Sequence, residues 1–311
     1  MCGISGYFLE NNSLIKLNSD INKSLELISH RGPDDKGIYI SCEERVGLAH
    51  SRLSIIDVSK NGRQPMHSLD NRLTIIFNGE IYNYKELREF LYQNGYKKWD
   101  GDSDTEVVLK MFLYSLKYGI KIEKVLSRLK GIFAIALWDS LEKELFLIRD
   151  ALGVKPLYFS EMEKGVAFAS EIKAILPFIN KMSSYKNNIS ENDIDAENIN
   201  RYLTFLWCPG KGTPSKKFIK VGPGEYLKIK NGKLNKKVKW YFLPSFNLKT
   251  KELNKYDSIH GTYKNLKKAV DRQLISDVPV GAFLSGGLDS SSIVALASQT
   301  LPKINCFTIK I

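Results

Sequence analysis

The sequence predicts two domains of different class: an α+β domain and, after it, the beginning of an α/β domain. As far as about Phe178, many short apolar runs of strand length are separated by few long helical stretches. After residue 255 the order is helix, apolar run, Gly/Ser-rich loop, helix and apolar run, which is typical of a parallel α/β unit. A chain of 311 residues also exceeds the roughly 250–300 residues at which single cores stop growing.

The first domain is predicted over residues 1–180. Its helices are expected at Asn18–Ser29, Tyr84–Asn94 and Thr105–Tyr118, from apolar spacing of helical period. One strand, Leu73–Phe77, is expected to end at the turn Asn78-Gly79-Glu80. The other expected strands are Ile4–Leu9, Val46–His50, Gly131–Asp139, Glu144–Asp150 and Val166–Ser170.

Residues 181–254 are predicted to be a linker and connecting segment, since 180–195 is rich in Asn, Ser, Lys and Asp and 240–251 has little order. Residues 255–311 are predicted to begin the second domain. Its elements are a helix (Asp257–Leu274), a buried strand (Val278–Leu284), a helix (Ser292–Thr300) and a strand (Ile304–Ile309). The sequence thus stops one strand into a parallel sheet, and we expect a fragment or a truncated product.

The formal charge of +12 is unevenly distributed. Residues 1–180 hold 24 of the 46 Lys and Arg and 24 of the 34 Asp and Glu, so 22 and 10 fall in 181–311. The excess is scattered Lys without interleaved aromatics, which predicts a solvated surface and no nucleic-acid partner. The four cysteines are far apart, and no signal peptide or apolar run of about 20 residues is visible, so we expect a cytoplasmic protein without a membrane partner.

Cys2 directly follows the initiator methionine. A small residue at this position favours removal of Met1, which would give Cys2 both a thiol and a free α-amine. Because the reference pKa values are about 8.5 and 7.7–8.0, one residue could supply a nucleophile and its base. The alternative is that Cys2 is only a small apolar residue at the start of a strand.

Ser285-Gly286-Gly287-Leu288-Asp289-Ser290-Ser291 lies between an apolar run and a helix. Small residues allow successive backbone N–H groups to point at an anion, and the helix start adds its dipole. No Gly-Lys-[Ser/Thr] follows, so this is no Walker A loop. The loop resembles the signature of the PP-loop ATP pyrophosphatases, although a turn that caps the helix through Asp289 or Ser290 is the simpler alternative.

The first domain resembles the glutaminase domain of class II (N-terminal nucleophile) glutamine amidotransferases. Joined to a PP-loop, it is similar to the glutamine-hydrolysing asparagine synthetase family, as is Leu206-Trp207-Cys208-Pro209. This implies a four-layer αββα N-terminal-nucleophile sandwich. The motifs that carry the resemblance are 2–4, His30-Arg31-Gly32-Pro33-Asp34, 50–55, Gln64-Pro65-Met66, 77–83, 101–106, Arg149-Asp150, Gly153-Val154-Lys155-Pro156-Leu157-Tyr158 and 168–171.

The resemblance implies that Cys2 is the nucleophile and its α-amine the base, while His30 and His50 serve structure. It implies an oxyanion hole made by the Asn78 side chain and the Gly79 N–H. The implied glutamine pocket comprises Arg52 for the α-carboxylate, Asp104 for the α-ammonium, and Leu53, Ser54, Ile55, Ile56, Asn78, Gly79 and Glu80. Taken singly, Arg52 could form a structural ion pair, Asn78-Gly79 could be a hairpin turn, and Asp104 could cap the following helix.

The resemblance also implies glutamine, aspartate and ATP as substrates, with no prosthetic group. Ammonia would pass to an aspartyl-adenylate, giving asparagine, AMP and pyrophosphate. ATP would bind at Leu284, Ser285, Gly286, Gly287, Asp289, Ser290 and Ile309, with Mg²⁺ on Asp289. Three alternatives stay open: amidation of a carboxylated sugar in surface-polysaccharide synthesis, glutaminase activity alone, and a non-catalytic interaction fragment. A homodimer is a further expectation.

Overall fold

The computed structural model describes residues 1–10, 17–43, 45–182, 191–244 and 254–309. The chain divides into two compact units, Met1–Phe242 and Leu243–Ile311. Residues 183–190 of the predicted exposed loop and 245–253 of the second connector lie outside the described residues. No described helix is both long enough and apolar enough to cross a membrane.

The first unit is built mainly of strands, with most helices short, as the sequence predicts. Most predicted elements are found within one or two residues of their expected ends. In chain order they are β1 (Gly3–Leu9), α1 (Asn18–Leu27), β2 (Asp35–Ser41), β3 (Val46–Arg52), β4 (Met66–His67), β5 (Leu73–Ile81), α2 (Tyr84–Gln93), α3 (Asp104–Lys117), α4 (Ile122–Leu126), β6 (Gly131–Asp139), β7 (Glu144–Arg149), β8 (Tyr158–Met162), β9 (Gly165–Ala169), α5 (Leu176–Met182), α6 (Ala196–Phe205), β10 (Ile219–Lys220), β11 (Glu225–Lys230) and β12 (Lys233–Lys239).

These strands form two six-stranded sheets. One has the order β10-β8-β9-β1-β3-β2 and the other β12-β11-β7-β6-β5-β4. Their facing sides share one core, to which β1, β3 and β9 contribute from the first sheet and β6, β7 and β11 from the second. Helices α1 and α5 cover the outer side of the first sheet, and α3 packs on β5 of the second. This is the predicted four-layer sandwich.

Strand β1 shows why its sequence is apolar at nearly every position. Ile4 and Phe8 enter the core between the sheets, whereas Tyr7 and Leu9 enter the core beneath α1 and α5. Successive side chains point to opposite faces of a strand, so a strand covered on both sides needs apolar residues at both parities.

Strand β5 is longer than predicted, and the predicted turn at Asn78-Gly79-Glu80 is wrong. The strand continues to Ile81 because Asn78, Gly79 and Glu80 pair with Ala134, Phe133 and Ile132 of β6. Pairing with a long neighbour overrides the weak strand propensity of Asn and Gly. A Cβ on Gly79 would overlap the Ile132 carbonyl oxygen, so this register requires glycine.

Part of the predicted connecting segment belongs to the two sheets. β10 pairs with β8, and β11 pairs with both β7 and β12. Asn231 and Gly232, between β11 and β12, have φ values of 51° and 72°, as a tight hairpin turn requires. Residues 219–220, 225–230 and 233–239 are therefore strands within the predicted connecting segment.

The second unit contains α7 (Lys255–Gln273), β13 (Gly281–Phe283), α8 (Leu288–Ala297) and β14 (Asn305–Phe307). The strands pair in parallel, as predicted. The predicted burial of the first strand is wrong: Phe283 is 81% exposed. Among the described residues β13 has one neighbouring strand, and the small core contains Val270, Leu296 and Ala297 from the helices and none of the β13 side chains.

Candidate active site

A cleft lies beside the amino terminus, next to β3, β5 and the start of α3. It brings together nearly all of the residues predicted for glutamine hydrolysis. Ser54 does not line it; the Ser54 N–H donates to the Asp34 carboxylate at 2.7 Å. The predicted residues that do line it are Cys2, Arg52, Leu53, Ile55, Ile56, Asn78, Gly79, Glu80 and Asp104.

The pairing of β1 with β3 positions Cys2 in this cleft. Gly3 pairs with Ser51, so Cys2 meets the residues that follow Ser51. The Leu53 N–H donates to Cys2 Sγ at 3.3 Å, and Sγ lies 3.5 Å from the Leu53 carbonyl oxygen. Arg31 Nε donates to the Cys2 carbonyl oxygen at 2.9 Å. The backbone and the sulfur of Cys2 are both held.

Arg31 is in turn held by Glu171, at the end of the neighbouring strand β9. Arg31 Nη1 lies 2.9 Å and His30 Nε2 lies 2.8 Å from the same Glu171 oxygen. Burial alone would raise the pKa of Glu171, but hydrogen bonds from Arg31, His30 and Lys173 lower it to about 2. The His30-Arg31 motif therefore anchors the start of β1, and His30 does not line the cleft.

Burial shifts the pKa values of the Cys2 thiol and of the terminal amine in opposite directions. It raises the pKa of the Cys2 thiol, opposed by the Leu53 hydrogen bond, and lowers the pKa of the terminal amine, which here belongs to Met1. Near neutral pH the amine is thus more readily a free base than usual, while the thiol retains its proton. A proton transfer between them would activate the sulfur.

The edge of β5 determines where the Gly79 N–H points. The Tyr82 N–H donates to the Lys130 carbonyl at 2.8 Å, so Tyr82 faces the β6 side. Backbone groups alternate sides along an antiparallel strand. The N–H groups of Phe77, Gly79 and Ile81 consequently point away from β6, towards the side of the cleft.

The two outer groups of this row are satisfied by side chains. The Phe77 N–H donates to Gln64 Oε1 at 2.6 Å, and the Ile81 N–H donates to Asp104 Oδ2 at 2.9 Å. Gly79 stands between them and lines the cleft. The middle N–H of the row therefore faces the space that a substrate would occupy.

Asn78 supplies a second orphaned group. Its side chain is 0% exposed, and among the described residues neither Nδ2 nor Oδ1 has a hydrogen-bond partner. Buried polar groups are nearly always hydrogen-bonded, because an unpaired one costs about 1–3 kcal/mol. An unpaired amide in the wall of a cleft is a hydrogen-bond donor that is available to a ligand. Its position in β5 also excludes the hairpin-turn alternative.

Arg52 ends β3 and is 6% exposed. Nη1 donates to the Ser59 carbonyl at 2.8 Å and Nη2 to the Asp57 carbonyl. Two of its five N–H groups are used in this way, and both acceptors are neutral. The guanidinium thus keeps its charge and three N–H groups for a carboxylate. The structural ion pair considered as an alternative is not formed with any described residue.

Asp104 lies at the first position of α3 and is not its cap. The cap is Ser103, whose Oγ accepts from the Glu106 N–H at 3.2 Å. Burial raises the pKa of Asp104 to about 7, although the Ile81 N–H opposes the shift. Burial likewise raises the pKa of Glu80, with Lys155 opposing. The cleft thus holds two carboxyls that are poised to gain from a cationic ligand.

Lys155 was not predicted as a site residue, although it lies within a motif that carries the family resemblance. It lines the cleft together with Gln64 and Thr105, which were also missed. Gln64 spans the gap between Phe77 and Thr105, donating to Thr105 Oγ1 at 3.0 Å. The signal in the sequence was that Lys155, Gln64 and Thr105 all lie within motifs that carry the family resemblance.

The predicted ATP-binding residues form an exposed loop in the second unit. Gly286 has a φ of +82°, and Gly287 caps α8. Ser290 Oγ lies 3.1 Å from Ser285 Oγ and 3.3 Å from the Ser285 N–H, which closes the turn. Asp289 is exposed in the first turn of α8. Ile309, just beyond β14, is 83% exposed.

The family described as "Glutamine amidotransferase domain" matches residues 1–241. The match covers more than three quarters of the chain, and the chain belongs to this family. The family described as "Asparagine synthase" matches residues 262–311.

Two curated relatives are named glutamine-hydrolysing asparagine synthetases, and a third is named an amidase. Asparagine synthetase [glutamine-hydrolyzing] 1 of Bacillus subtilis is 37% identical and the match covers 99% of this chain and 46% of that protein. Putative asparagine synthetase [glutamine-hydrolyzing] 2 of Methanocaldococcus jannaschii is 34% identical, over 99% of this chain and 59% of that protein. Amidase chry2 of Gibberella zeae is 32% identical, over 97% and 43%. The chain spans about half the length of the curated relatives it matches.

Two solved structures share the fold. Glutamine phosphoribosylpyrophosphate amidotransferase of Bacillus subtilis, in complex with ADP and GMP, matches with a TM-score of 0.53 at 19% identity, over 99% of this chain and 65% of that one. The structure titled as the allosteric regulatory enzyme of purine biosynthesis matches with a TM-score of 0.54, also at 19% identity and with the same coverage. Together with the two sheets, these matches confirm the predicted N-terminal-nucleophile fold.

Proposed function

We propose that the cleft hydrolyses glutamine to glutamate and ammonia, with Cys2 as the nucleophile. One observation carries the proposal: the sulfur of Cys2 shares a cleft with the unpaired Asn78 amide and with Gly79, whose N–H points away from β6. Thiol attack on an amide creates an oxyanion, and donors fixed beforehand are what stabilise such an intermediate.

In this reaction the Cys2 thiol loses its proton to the terminal amine, and the sulfur attacks the γ-amide carbon of glutamine. The carbonyl π electrons move to oxygen, which accepts hydrogen bonds from Asn78 and Gly79. Collapse of this intermediate breaks the C–N bond, and the amine returns its proton to the departing ammonia. Water then hydrolyses the γ-glutamyl thioester to glutamate and restores the thiol.

Removal of Met1 is part of the proposal, because it transfers the free α-amine to Cys2 itself. Met1 is 59% exposed and lines the cleft, so its loss would also open the space around the sulfur. Intact-mass measurement of the purified chain tests this step. A protein that retains Met1 and still hydrolyses glutamine would contradict the assigned base.

We propose that charge recognises the ends of free glutamine. The three remaining N–H groups of Arg52 suit the α-carboxylate. The Asp104 carboxyl suits the α-ammonium, and binding of that cation would lower the raised pKa of Asp104 again. Backbone groups of residues 53–56 and Glu80 would complete the pocket.

We propose that the ammonia serves asparagine synthesis in the whole protein. ATP would adenylate the β-carboxylate of aspartate with release of pyrophosphate, and ammonia would displace AMP. The support is the Asparagine synthase match and the names of the relatives. The Ser285–Ser290 loop suits phosphate oxygens, and Asp289 could hold Mg²⁺. No cluster of three potential metal ligands exists among the described residues, so phosphate and water would complete the coordination.

Glutamate release by the wild-type chain, Cys2→Ala and Cys2→Ser tests the first step. We expect wild-type turnover, none from Cys2→Ala, and a γ-glutamyl adduct on Cys2 that mass spectrometry detects in quenched wild-type samples. Equal background release from all three proteins would refute the proposal.

The acceptor is tested in the whole protein. AMP formation that depends on ATP is measured with aspartate and, separately, with uronic acids. Activity with a uronic acid alone would favour the polysaccharide alternative.

We also propose a cytoplasmic location. The four cysteines are free, and two of them, Cys42 and Cys306, are exposed, which suits a reducing compartment.

A further inference from the structure

The glutaminase cleft contains a buried cation without a partner. Three cationic side chains lie at or beside it. Arg31 is paired with Glu171, and Arg52 donates to backbone carbonyls. Lys155 is 6% exposed, and its ammonium makes no ion pair or hydrogen bond with any described residue.

The backbone around Lys155 is held on both sides. Arg149 donates to the carbonyl oxygens of Lys155 and Gly153, each at 2.7 Å. Asp150 accepts from the N–H groups of Val154 at 2.9 Å and Lys155 at 3.0 Å. These bonds fix the turn after β7, so the direction of the lysine into the cleft is a property of the fold.

An unpaired buried ammonium is costly, since desolvation disfavours the charged form. Accordingly burial lowers the pKa of Lys155, while Glu80 and Cys2 act in the opposite direction. The Glu80 and Asp150 carboxylates and the Cys2 thiolate are therefore the negative charges that act on this ammonium, and Arg31 opposes them. Of these three, only the Cys2 thiolate forms during the reaction.

We propose that Lys155 is a positioning residue of the glutaminase reaction: its ammonium stabilises the ionised, nucleophilic form of Cys2 across the cleft. The inference rests on the proposed glutaminase function. Glu80 moderates the effect, because it competes with the sulfur for the same positive charge. Lys155 thus favours loss of the proton from the sulfur, and Glu80 weakens this effect.

Other charges face the same sulfur, so the test must separate them. Asp104 opposes ionisation of Cys2, whereas the terminal amine and Lys155 favour it. The charged side chains around the sulfur and the amine come from five elements: Arg31 after α1, Arg52 in β3, Glu80 in β5, Asp104 in α3 and Lys155 after β7.

The rate of alkylation of Cys2 by iodoacetamide, measured from pH 6 to 10 by mass spectrometry of the Cys2 peptide, reports thiol ionisation without any need for turnover. Exposed Cys42 in the same protein is the internal reference. The variants are Lys155→Met, Lys155→Arg and, as a matched control, Lys164→Met at an exposed lysine between β8 and β9.

In Lys155→Met we expect the midpoint for Cys2 to rise by about one pH unit, which is a rate about tenfold lower below the midpoint. Lys155→Arg, Lys164→Met and the Cys42 peptide should match wild type. The acidic limb of glutaminase kcat/KM reports protonation of the terminal amine, and in Lys155→Met it should also move to higher pH, because Lys155 disfavours the protonated amine. Equal midpoints for Lys155→Met and wild type, or equal shifts for Lys155→Met and Lys155→Arg, would overturn the inference.

Glu80→Gln provides a second test that leaves Lys155 in place, should Lys155→Met fail to fold. The Cys2 midpoint of this variant should fall, because one negative charge that competes for the Lys155 ammonium is removed. An unchanged or raised midpoint would overturn the inference. The two proposals can fail separately. If Lys155→Met raises the Cys2 midpoint but the wild-type protein hydrolyses no glutamine, the proposed function is refuted and the electrostatic role of Lys155 still holds.

Discussion

Replacing Asn78 by alanine should separate activity from stability. The change removes one proposed oxyanion donor, which typically costs about 10²–10³ in kcat, or roughly 2.7–4 kcal/mol. It also removes two buried atoms that have no hydrogen-bond partner. Each such atom costs the folded state about 1–3 kcal/mol, which offsets the cavity left by the lost side chain. We therefore expect a free energy of unfolding within about 1 kcal/mol of wild type, or above it.

Asn83 is the matched control. It is also buried, at 6% exposure, but both polar atoms of its amide are hydrogen-bonded: Nδ2 donates to the Arg128 carbonyl at 3.1 Å, and Oδ1 accepts from the Lys130 N–H at 2.9 Å. Asn83→Ala leaves these partners unpaired and should lower the free energy of unfolding by about 1–3 kcal/mol. Turnover per folded molecule should remain that of wild type.

The assays are urea unfolding followed by tryptophan fluorescence and steady-state glutamate release. The informative result is a crossed pattern, with Asn78→Ala inactive but stable and Asn83→Ala active but destabilised. If Asn78→Ala loses as much stability as Asn83→Ala, and its activity falls only with the folded fraction, then Asn78 has structural partners and the oxyanion argument is wrong.

Three further predictions concern the cleft and the Ser285–Ser290 loop. In the folded protein the pKa of Asp104 is about 7, whereas its ordinary value is 3.8. The proton on Asp104 therefore stabilises the fold fully below pH 3.8, and this contribution to the free energy of unfolding is lost as the pH rises through 7. Asp104→Asn should thus raise the free energy of unfolding at pH 8 more than at pH 4 in urea melts, yet raise the KM for glutamine at least about tenfold; an unchanged KM would exclude substrate contact. In Gly62→Ala the new Cβ overlaps Arg52 Nη2, so KM should rise by about tenfold with little change in kcat, whereas Gly261→Ala, whose Cβ meets nothing within 4 Å, should match wild type. Gly286→Ala places a Cβ at a φ of +82°, a strain of about 1–2 kcal/mol, and equilibrium dialysis should show weaker ATP binding by about five- to thirtyfold; equal affinity would exclude a built phosphate loop.

The sequence predicted most of the elements because they depend on local periodicity, whereas the four layers were implied by the family resemblance. Strand β1 is readable from seven consecutive residues that must be apolar or small, and the helix of residues 84–93 from its apolar spacing. The end of β5 was not readable in this way. Asn-Gly is a strong local turn signal, and only the pairing with β6 shows that the chain passes straight through it.

Some residues of the candidate cleft were likewise predicted from the sequence, and others were found only in the structure. The family motifs identified Cys2, Arg52, Asn78, Gly79 and Asp104, because each motif contains a chemically distinctive residue and the motifs follow one another in a recognisable order. They missed Lys155, since a lysine in a loop is usually a solvated surface residue. The hydrogen bonds of Arg149 and Asp150 aim it inwards, and those contacts follow from how the turn after β7 folds.

By itself, then, the sequence determined the chemical groups available to this protein and the strands and helices that carry them. The tertiary structure decided which of those groups are left without partners. Gly79 and Asn78 become available donors because the pairing of β5 with β6 and the side chains of Gln64 and Asp104 satisfy their neighbours but not them. Whether a buried polar group is paired depends on atoms that lie tens of residues away along the chain, and only the folded protein brings those atoms within hydrogen-bonding distance.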